Sequence, residues 1–245
     1  MHYQPIFDIR RNEVAGVEAL LRWNHPVRGL LPPSEFIQLA EENGVIVALG
    51  ELVLRESCRQ AALWNESRRA AGARALMMHV NLSPRQVADP TLLKKLVAIL
   101  RETNFSPSLL CLEVTEHTLM GGSSNATKVL RPICNLGVHL SVDDFGTGYS
   151  SLANLRETPV ETLKIDRSFV AGLGKSADGR AIVAAIVTIA HSLGLTAVAE
   201  GVETHEQLAI LDAIGCDFAQ GYLLGRPGAA DAFLSGLERA LVELS

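Results

Sequence analysis

The chain alternates short apolar runs with longer amphipathic ones. Residues 3–7, 14–21, 76–81, 109–114, 138–142, 162–165, 196–199 and 216–219 form continuous or period-two runs rich in β-branched side chains, the pattern of buried strands. The segments between them carry helical periodicity. Ser34 is placed to cap a helix through Glu42, with Glu35 in its first turn. A long periodic stretch over 50–71 stops at Gly72. Asp89-Pro90 predicts the start of a helix reaching about Thr103, with proline at the favoured first position. Residues 123–136, 178–193 and 204–214 end at Gly137, Gly194 and Gly215, and Thr204 with Gln207 has capping-box spacing.

Strands alternating with glycine-terminated helices predict βαβ units that close into a parallel α/β barrel. The start departs from that rule. Residues 8–13 are too few for a crossover helix, so the first two runs are expected to pair antiparallel, leaving the barrel irregular there.

Composition narrows the picture. At 245 residues, with 48% hydrophobic and 20% charged, the chain can bury a large core as one α/β barrel, and no low-complexity linker divides residues 1–245. A formal net charge of -5 argues against binding polymeric nucleic acid, which needs a basic face. It leaves a nucleotide open, because metal ions reverse the field of an acidic site. The four cysteines form no CxxC pair. Cys111 and Cys216 lie in apolar runs, which predicts buried free thiols and a reducing cytoplasm. No HExxH or HxH spacing supports zinc. No signal peptide is expected, and the most apolar stretch, 181–190, is about half a membrane span. No membrane contact is expected of this domain itself; any anchor of a parent protein would lie outside it. The chain opens inside its first strand, which predicts a domain excised from a larger multidomain protein.

The chemistry sits where strand-like runs end: Glu18, Asn81, Glu113 with Glu116, Asp143 with Asp144, Lys164 with Asp166, and Glu200 with Glu203. Repeated oxygen donors at strand ends are the layout of a barrel active site, and such donors suit Mg²⁺ or Mn²⁺. Adjacent strand residues face opposite ways, so Asp143 and Asp144 reach one site only if the strand ends and turns there, with the glycines of Phe-Gly-Thr-Gly supplying the turn. They could then bridge two ions about 3.5–4 Å apart; alone, the pair could equally be a helix cap or a solvated loop.

Glu18 lies in an otherwise apolar run and needs a cation, either Arg22 or a metal. In an extended strand Arg22 would lie about 13 Å away on the same face, which suits it better to a substrate phosphate. Asn81 is either a turn residue before Ser83-Pro84 or a neutral oxygen ligand. Glu113 reads as a ligand, and Glu116 as a supporting or loop-anchoring group in the loop after it. Lys164 and Asp166 face one way around Ile165, the lysine serving as a buried cation able to orient water. Glu200 is the candidate general base, Glu203 a supporting group, and Gln220 a further oxygen or donor after the last strand. Glu18, Glu113, Asp143, Asp144 and Glu200 bring five negative charges against Lys164, an imbalance that favours two divalent ions.

With those residues in order, Glu18-Ala19-Leu20 resembles the name-giving motif of the bacterial EAL-domain cyclic di-GMP phosphodiesterases. The likeness runs from Tyr3-Gln4-Pro5-Ile6 to the Gln-Gly-Tyr-Leu-Leu-Gly-Arg-Pro segment that begins at Gln220. It implies a modified (β/α)8 TIM-like barrel with an antiparallel first strand. It also implies hydrolysis of cyclic di-GMP to linear pGpG, dependent on Mg²⁺ or Mn²⁺ and inhibited by Ca²⁺. By motif, Glu18, Asn81, Glu113, Asp143 and Asp144 resemble the metal ligands. Lys164 and Glu200 resemble the pair that orients and deprotonates water, and Gln220 a residue supporting the water network. Arg22 resembles the substrate-phosphate contact, with Asp166 and Glu203 beside it on the substrate side. Glu116 resembles the anchor of the 143–152 loop, which in the family couples a homodimer to metal binding. Pro84, where a small residue is common, and a trimmed start are the departures. The alternatives are a catalytically inactive cyclic di-GMP receptor, a barrel lyase that stabilises an enolate, and a silent dimerising domain.

Overall fold

The computed structural model describes residues 1–120, 124–148, 152–175, 177–231 and 233. Along the chain run β1 (His2–Asp8), β2 (Glu13–Leu20), β3 (Trp23–His25), β4 (Gly29–Leu31), α1 (Ile37–Glu42), α2 (Ile46–Ala70), β5 (Met77–Asn81), α3 (Pro84–Val87) and α4 (Leu92–Thr103). They are followed by β6 (Leu110–Thr115), α5 (Glu116–Met120), α6 (Ser124–Cys134), β7 (His139–Phe145), α7 (Leu152–Glu157), β8 (Thr162–Ile165), α8 (Arg167–Val170), α9 (Ala177–Ser192), β9 (Thr196–Ala199), α10 (His205–Ala213) and β10 (Phe218–Ala219). Eight strands close into a barrel in the order β1-β10-β9-β8-β7-β6-β5-β2. β1 is antiparallel to both neighbours, and every other adjacent pair in the barrel is parallel.

Alternation along each strand separates two environments. Leu110, Leu112 and Val114 of β6, Leu140 and Val142 of β7, and Leu163 and Ile165 of β8 belong to the apolar core shared with the surrounding helices. α4 contributes Leu92, Leu96, Ile99 and Leu100, one helical stripe. The intervening residues face the barrel axis. Ile6, Cys111 and Val198 are buried but lie outside that core cluster, filling the barrel interior below the polar residues. The polar positions of the strands therefore point into one enclosed space.

All eight predicted strands form, with ends moved by up to three residues, and the antiparallel start is observed. The stops foreseen at Gly72, Gly137, Gly194 and Gly215 have φ between 71° and 91°, backbone that glycine adopts without a Cβ penalty. The box of Thr204 and Gln207 forms as expected. Cys58, Cys111 and Cys216 are buried free thiols, and Cys134 is half-buried. Among the described residues no helix is long and apolar enough to cross a membrane.

Several local expectations are corrected. Ser34 caps nothing: Pro33–Glu35 is a 3₁₀ turn, and α1 begins after Phe36. α2 begins at Ile46, so Gly50 lies inside it. α4 begins at Leu92, because the Asp89 carboxylate accepts from Thr91 N–H (2.8 Å) and holds Pro90 in a turn before the helix. β2 ends at Leu20, so Arg22 is not on a strand and the extended-strand distance to Glu18 does not apply. The short hairpin of β3 and β4 outside the barrel was not foreseen; three-residue strands carry too little periodicity.

Gly50 yields a stability test. A Cβ there would fall on the side-chain amide of Gln86, which is 3% exposed and closes the box with Ser83 at the start of α3. Glycine to alanine inside a helix ordinarily stabilises by about 1 kcal/mol. Gly50→Ala is instead expected to destabilise by about 1–3 kcal/mol through the overpacked contact, read as a lowered thermal unfolding midpoint.

Candidate active site

The mouth at the C-terminal ends of the parallel strands is a cavity of about 710 Å³ lined in part by Glu18, Asn81, Asp143, Asp144, Glu200 and Gln220. Glu18 comes from β2, Asn81 from the end of β5, Glu113 from β6, Asp143 and Asp144 from β7, Lys164 from β8. Glu200 and Gln220 directly follow β9 and β10. Register brings them level: Glu18 pairs with His79, and Asn81 with Glu113.

Lys164 is the centre of the group. Its ammonium, 1% exposed, lies 2.6 Å from Glu200, 2.7 Å from Glu113, 3.3 Å from Asp143 and 3.7 Å from Glu18. Both carboxylate oxygens of Glu18 are also held by amides: Asn81 Nδ2 donates to Oε1 and Gln220 Nε2 to Oε2, each at 2.7 Å. The Asn81 amide is oriented by that bond, which leaves its oxygen free to act as a ligand. Asp143, Asp144 and Glu200 also offer carboxylate oxygens within 4.8 Å of one another, a group that could hold a metal ion.

Protonation follows from the crowding. Burial would weaken the Lys164 charge, but Asp143, Glu113, Glu18 and Glu200 outweigh it and raise its pKa well above the ordinary lysine value. Four carboxylates around one ammonium cannot all ionise readily. Burial pushes Glu113 well above the carboxylate range and Glu200 up to about 8, against the pull of Lys164. Glu18 goes the other way: burial opposes its charge, but Lys164 and the Gln220 and Asn81 amides hold its pKa below the ordinary value. Asp144 is raised by burial and by Asp143 and Asp166.

Asp143 and Asp144 reach the mouth differently from expectation. Both lie within β7, whose register shifts between Val142 and Phe145, and Asp144 has φ +54°. A bulge with aspartate in left-handed backbone, rather than a strand end followed by glycines, brings the second carboxylate round. Glu116 opens α5 instead of lying in a loop. Its buried carboxylate accepts from Gly146 N–H (3.0 Å), tying that helix to the segment after β7. Residues 149–151 of the predicted loop lie outside the described residues. Asp166 and Glu203 line the cavity. Asp166 caps α8 by accepting from Ser168 N–H (3.0 Å), and Glu203 is exposed. Arg22 donates to Leu21 O (2.8 Å), and burial lowers its pKa against the opposing pull of Tyr222 and Glu18.

Two polar residues of the interior went unremarked in the sequence. His79 is 6% exposed, with Nδ1 2.9 Å from Glu113 Oε1, and burial lowers its pKa to about 3. Gln4 pairs in register with Glu18, and its Oε1 accepts from Gln220 Nε2 (3.1 Å). His79 reads as one more residue of an apolar run. Gln4 lies near the start of its strand, and only the reversed direction of β1 brings that end to the mouth.

A family model described as the EAL domain matches residues 1–227. The chain belongs to the EAL domain family. It is 45% identical over 237 residues to the bifunctional diguanylate cyclase/cyclic di-GMP phosphodiesterase MucR of Pseudomonas aeruginosa, covering 97% of this chain and 34% of that protein. It is 40% identical over 241 residues to the cyclic di-GMP phosphodiesterase PdeR of Escherichia coli, covering 98% of this chain and 36% of that one. This EAL domain thus spans about a third of the length of these curated relatives. Among solved structures, it superposes on the PaMucR phosphodiesterase in its c-di-GMP complex with a TM-score of 0.89 at 45% identity, covering 95% of this chain and 92% of that chain. The closed barrel is the fold shared with these EAL domains, and Glu18-Ala19-Leu20 lies in its second strand.

The proton-holding carboxylates set a pH dependence for the metal-free EAL domain. Glu200 has a folded pKa of about 8 against an unfolded value of about 4.5, so its contribution is complete below the unfolded value and is lost as pH rises through 8. His79, depressed to about 3 from 6.5, withdraws stability as pH falls below 6.5. The two slopes oppose each other between about pH 4.5 and 6.5, so the thermal midpoint is expected to be highest in that range and to fall by a few degrees as pH rises from about 6.5 to 8. In Glu200→Gln the alkaline fall is expected to shrink markedly.

Proposed function

We propose that this EAL domain hydrolyses cyclic di-GMP to linear pGpG in a reaction dependent on Mg²⁺ or Mn²⁺. The observation that carries the reading is the convergence of Glu18, Glu113, Asp143 and Glu200 on one buried lysine, with Asn81 and Gln220 holding Glu18. The donors are carboxylates and an amide, the hard oxygen set that these cations prefer, so the residues fit the ions. In this reading Glu18, Asn81, Glu113, Asp143 and Asp144 hold two ions, whose charge offsets the excess of carboxylates. Bound there, such ions supply Lewis acidity toward the phosphate and toward water.

The chain's own groups do the rest. Glu200 accepts the proton of the attacking water, which its raised pKa suits. Lys164 holds the Glu200 carboxylate at 2.6 Å and orients the water, and Gln220 supports it from the other side of Glu18. Arg22 contacts a substrate phosphate, with Asp166 and Glu203 completing the substrate side of the cavity. Glu116 anchors the segment after β7 and, through it, a homodimer. The domain is read as cytoplasmic and as one unit of a larger protein, with any membrane anchor lying outside it. The complete carboxylate set favours turnover over a receptor that binds the messenger without cleaving it.

Incubating the purified chain with cyclic di-GMP and Mn²⁺ or Mg²⁺, then separating the products, is expected to give pGpG, and a chelator should abolish it. Glu18→Ala should lower turnover by more than about a hundredfold, the upper end of what losing even a partner of a metal ligand costs. Binding without product would establish the receptor reading, and unchanged turnover by Glu18→Ala would remove Glu18 from the site.

A further inference from the structure

Gln220 is 4% exposed, and its Nε2 donates twice, to Glu18 Oε2 (2.7 Å) and Gln4 Oε1 (3.1 Å). Its Oε1 is buried without a hydrogen-bond partner. Buried acceptors are nearly always satisfied, so the neighbours on the nitrogen side must hold this amide where it is. The neighbours of this amide fix its orientation. Turned over, Gln220 would set its oxygen against the Glu18 carboxylate and Gln4 Oε1, acceptor against acceptor.

Gln4 cannot relieve that clash by turning as well. Its Nε2 donates to the Gly225 backbone carbonyl (3.0 Å), which can only accept. The carbonyl is held in turn, because Gly228 N–H donates to Tyr3 O and Tyr3 N–H to Gly228 O, tying this segment to β1. Gly225 has φ +158°, and a Cβ on it would meet Pro5 Cγ at 2.6 Å, so the close approach requires glycine. The order Gly225 carbonyl, Gln4 amide, Gln220 amide, Glu18 carboxylate admits one orientation of both amides.

We propose that Gln4 is a positioning residue, which locks the Gln220 amide so that its nitrogen stays on the Glu18 carboxylate. The effect on turnover rests on the phosphodiesterase reading above; the lock itself does not. Gln4 reaches the mouth because β1 runs backwards, placing it opposite Glu18.

The test compares Gln4→Leu, Gln220→Leu, the double variant and Gln4→Glu, whose protonated side chain keeps an acceptor facing Gln220 and a donor facing the Gly225 carbonyl. Gln4→Leu is expected to lower kcat roughly ten- to a hundredfold, the size of one positioned hydrogen bond, with KM within about twofold. The double variant should be no slower than Gln220→Leu, and Gln4→Glu should recover most of kcat. In protein labelled with ¹⁵N-glutamine, the Gln220 side-chain NH₂ should be protected from exchange in the parent and lose that protection in Gln4→Leu. Full kcat in Gln4→Leu, multiplying effects in the double variant, or unchanged Gln220 protection would each overturn the proposal. Should Gln4→Leu fail to fold, Gln4→Glu and the parent's amide protection decide: an unprotected Gln220 amide in the parent refutes the lock. If the parent cleaves no cyclic di-GMP, the phosphodiesterase reading falls, and the exchange data still decide the lock.

Discussion

The mouth of this barrel is organised by one buried ammonium among too many carboxylates. Lys164 lies within 2.6 to 3.7 Å of four of them, in a setting where isolated charges are expensive. One positive charge keeps the acidic residues together but cannot neutralise them, so burial, with the remaining repulsion adding to it, pushes the pKa values of Glu113 and Glu200 upward. Such a site is stable enough to fold and still short of positive charge. That shortage is what the proposed divalent ions would make up.

The barrel makes this arrangement affordable. Apolar faces of the strands pack outward against the helices, and the opposite faces share one interior. Several polar groups there are answered by a neighbour across the sheet: Asn81 and Gln220 hold Glu18, and His79 meets Glu113. Amides are suited to this role because they donate without adding charge. Reversal of β1 adds a donor–acceptor pair that a fully parallel barrel would not supply, since it delivers the beginning of a strand, with Gln4, to the end where its neighbours deliver their last residues.

Much of this was legible in the sequence. The eight strand runs, the antiparallel start and the convergence of the polar strand-end residues follow from period-two patterning and from the cost of burying a carboxylate in an apolar run. What stayed hidden depends on geometry beyond a single period. Asp144 reaches the mouth through a bulge and left-handed backbone, which no alternation rule registers. Ser34 and Pro90 had helix-start signals, but a 3₁₀ turn and an aspartate-held turn took those positions. Gln4 sits at the end of a strand that such rules ignore, and His79 has no partner visible nearby in sequence. EAL family membership, by contrast, was carried by short segments whose order alone is specific, and the family model agrees with it.

The most direct test is a crystal structure of the chain grown with Mn²⁺, with diffraction recorded at the manganese absorption edge. The account predicts anomalous density bounded by the oxygens of Glu18, Asn81, Glu113 and Asp143, beside the Lys164 ammonium. Manganese bound elsewhere, or a mouth in which Lys164 keeps these carboxylates to itself and no density lies between them, would contradict it.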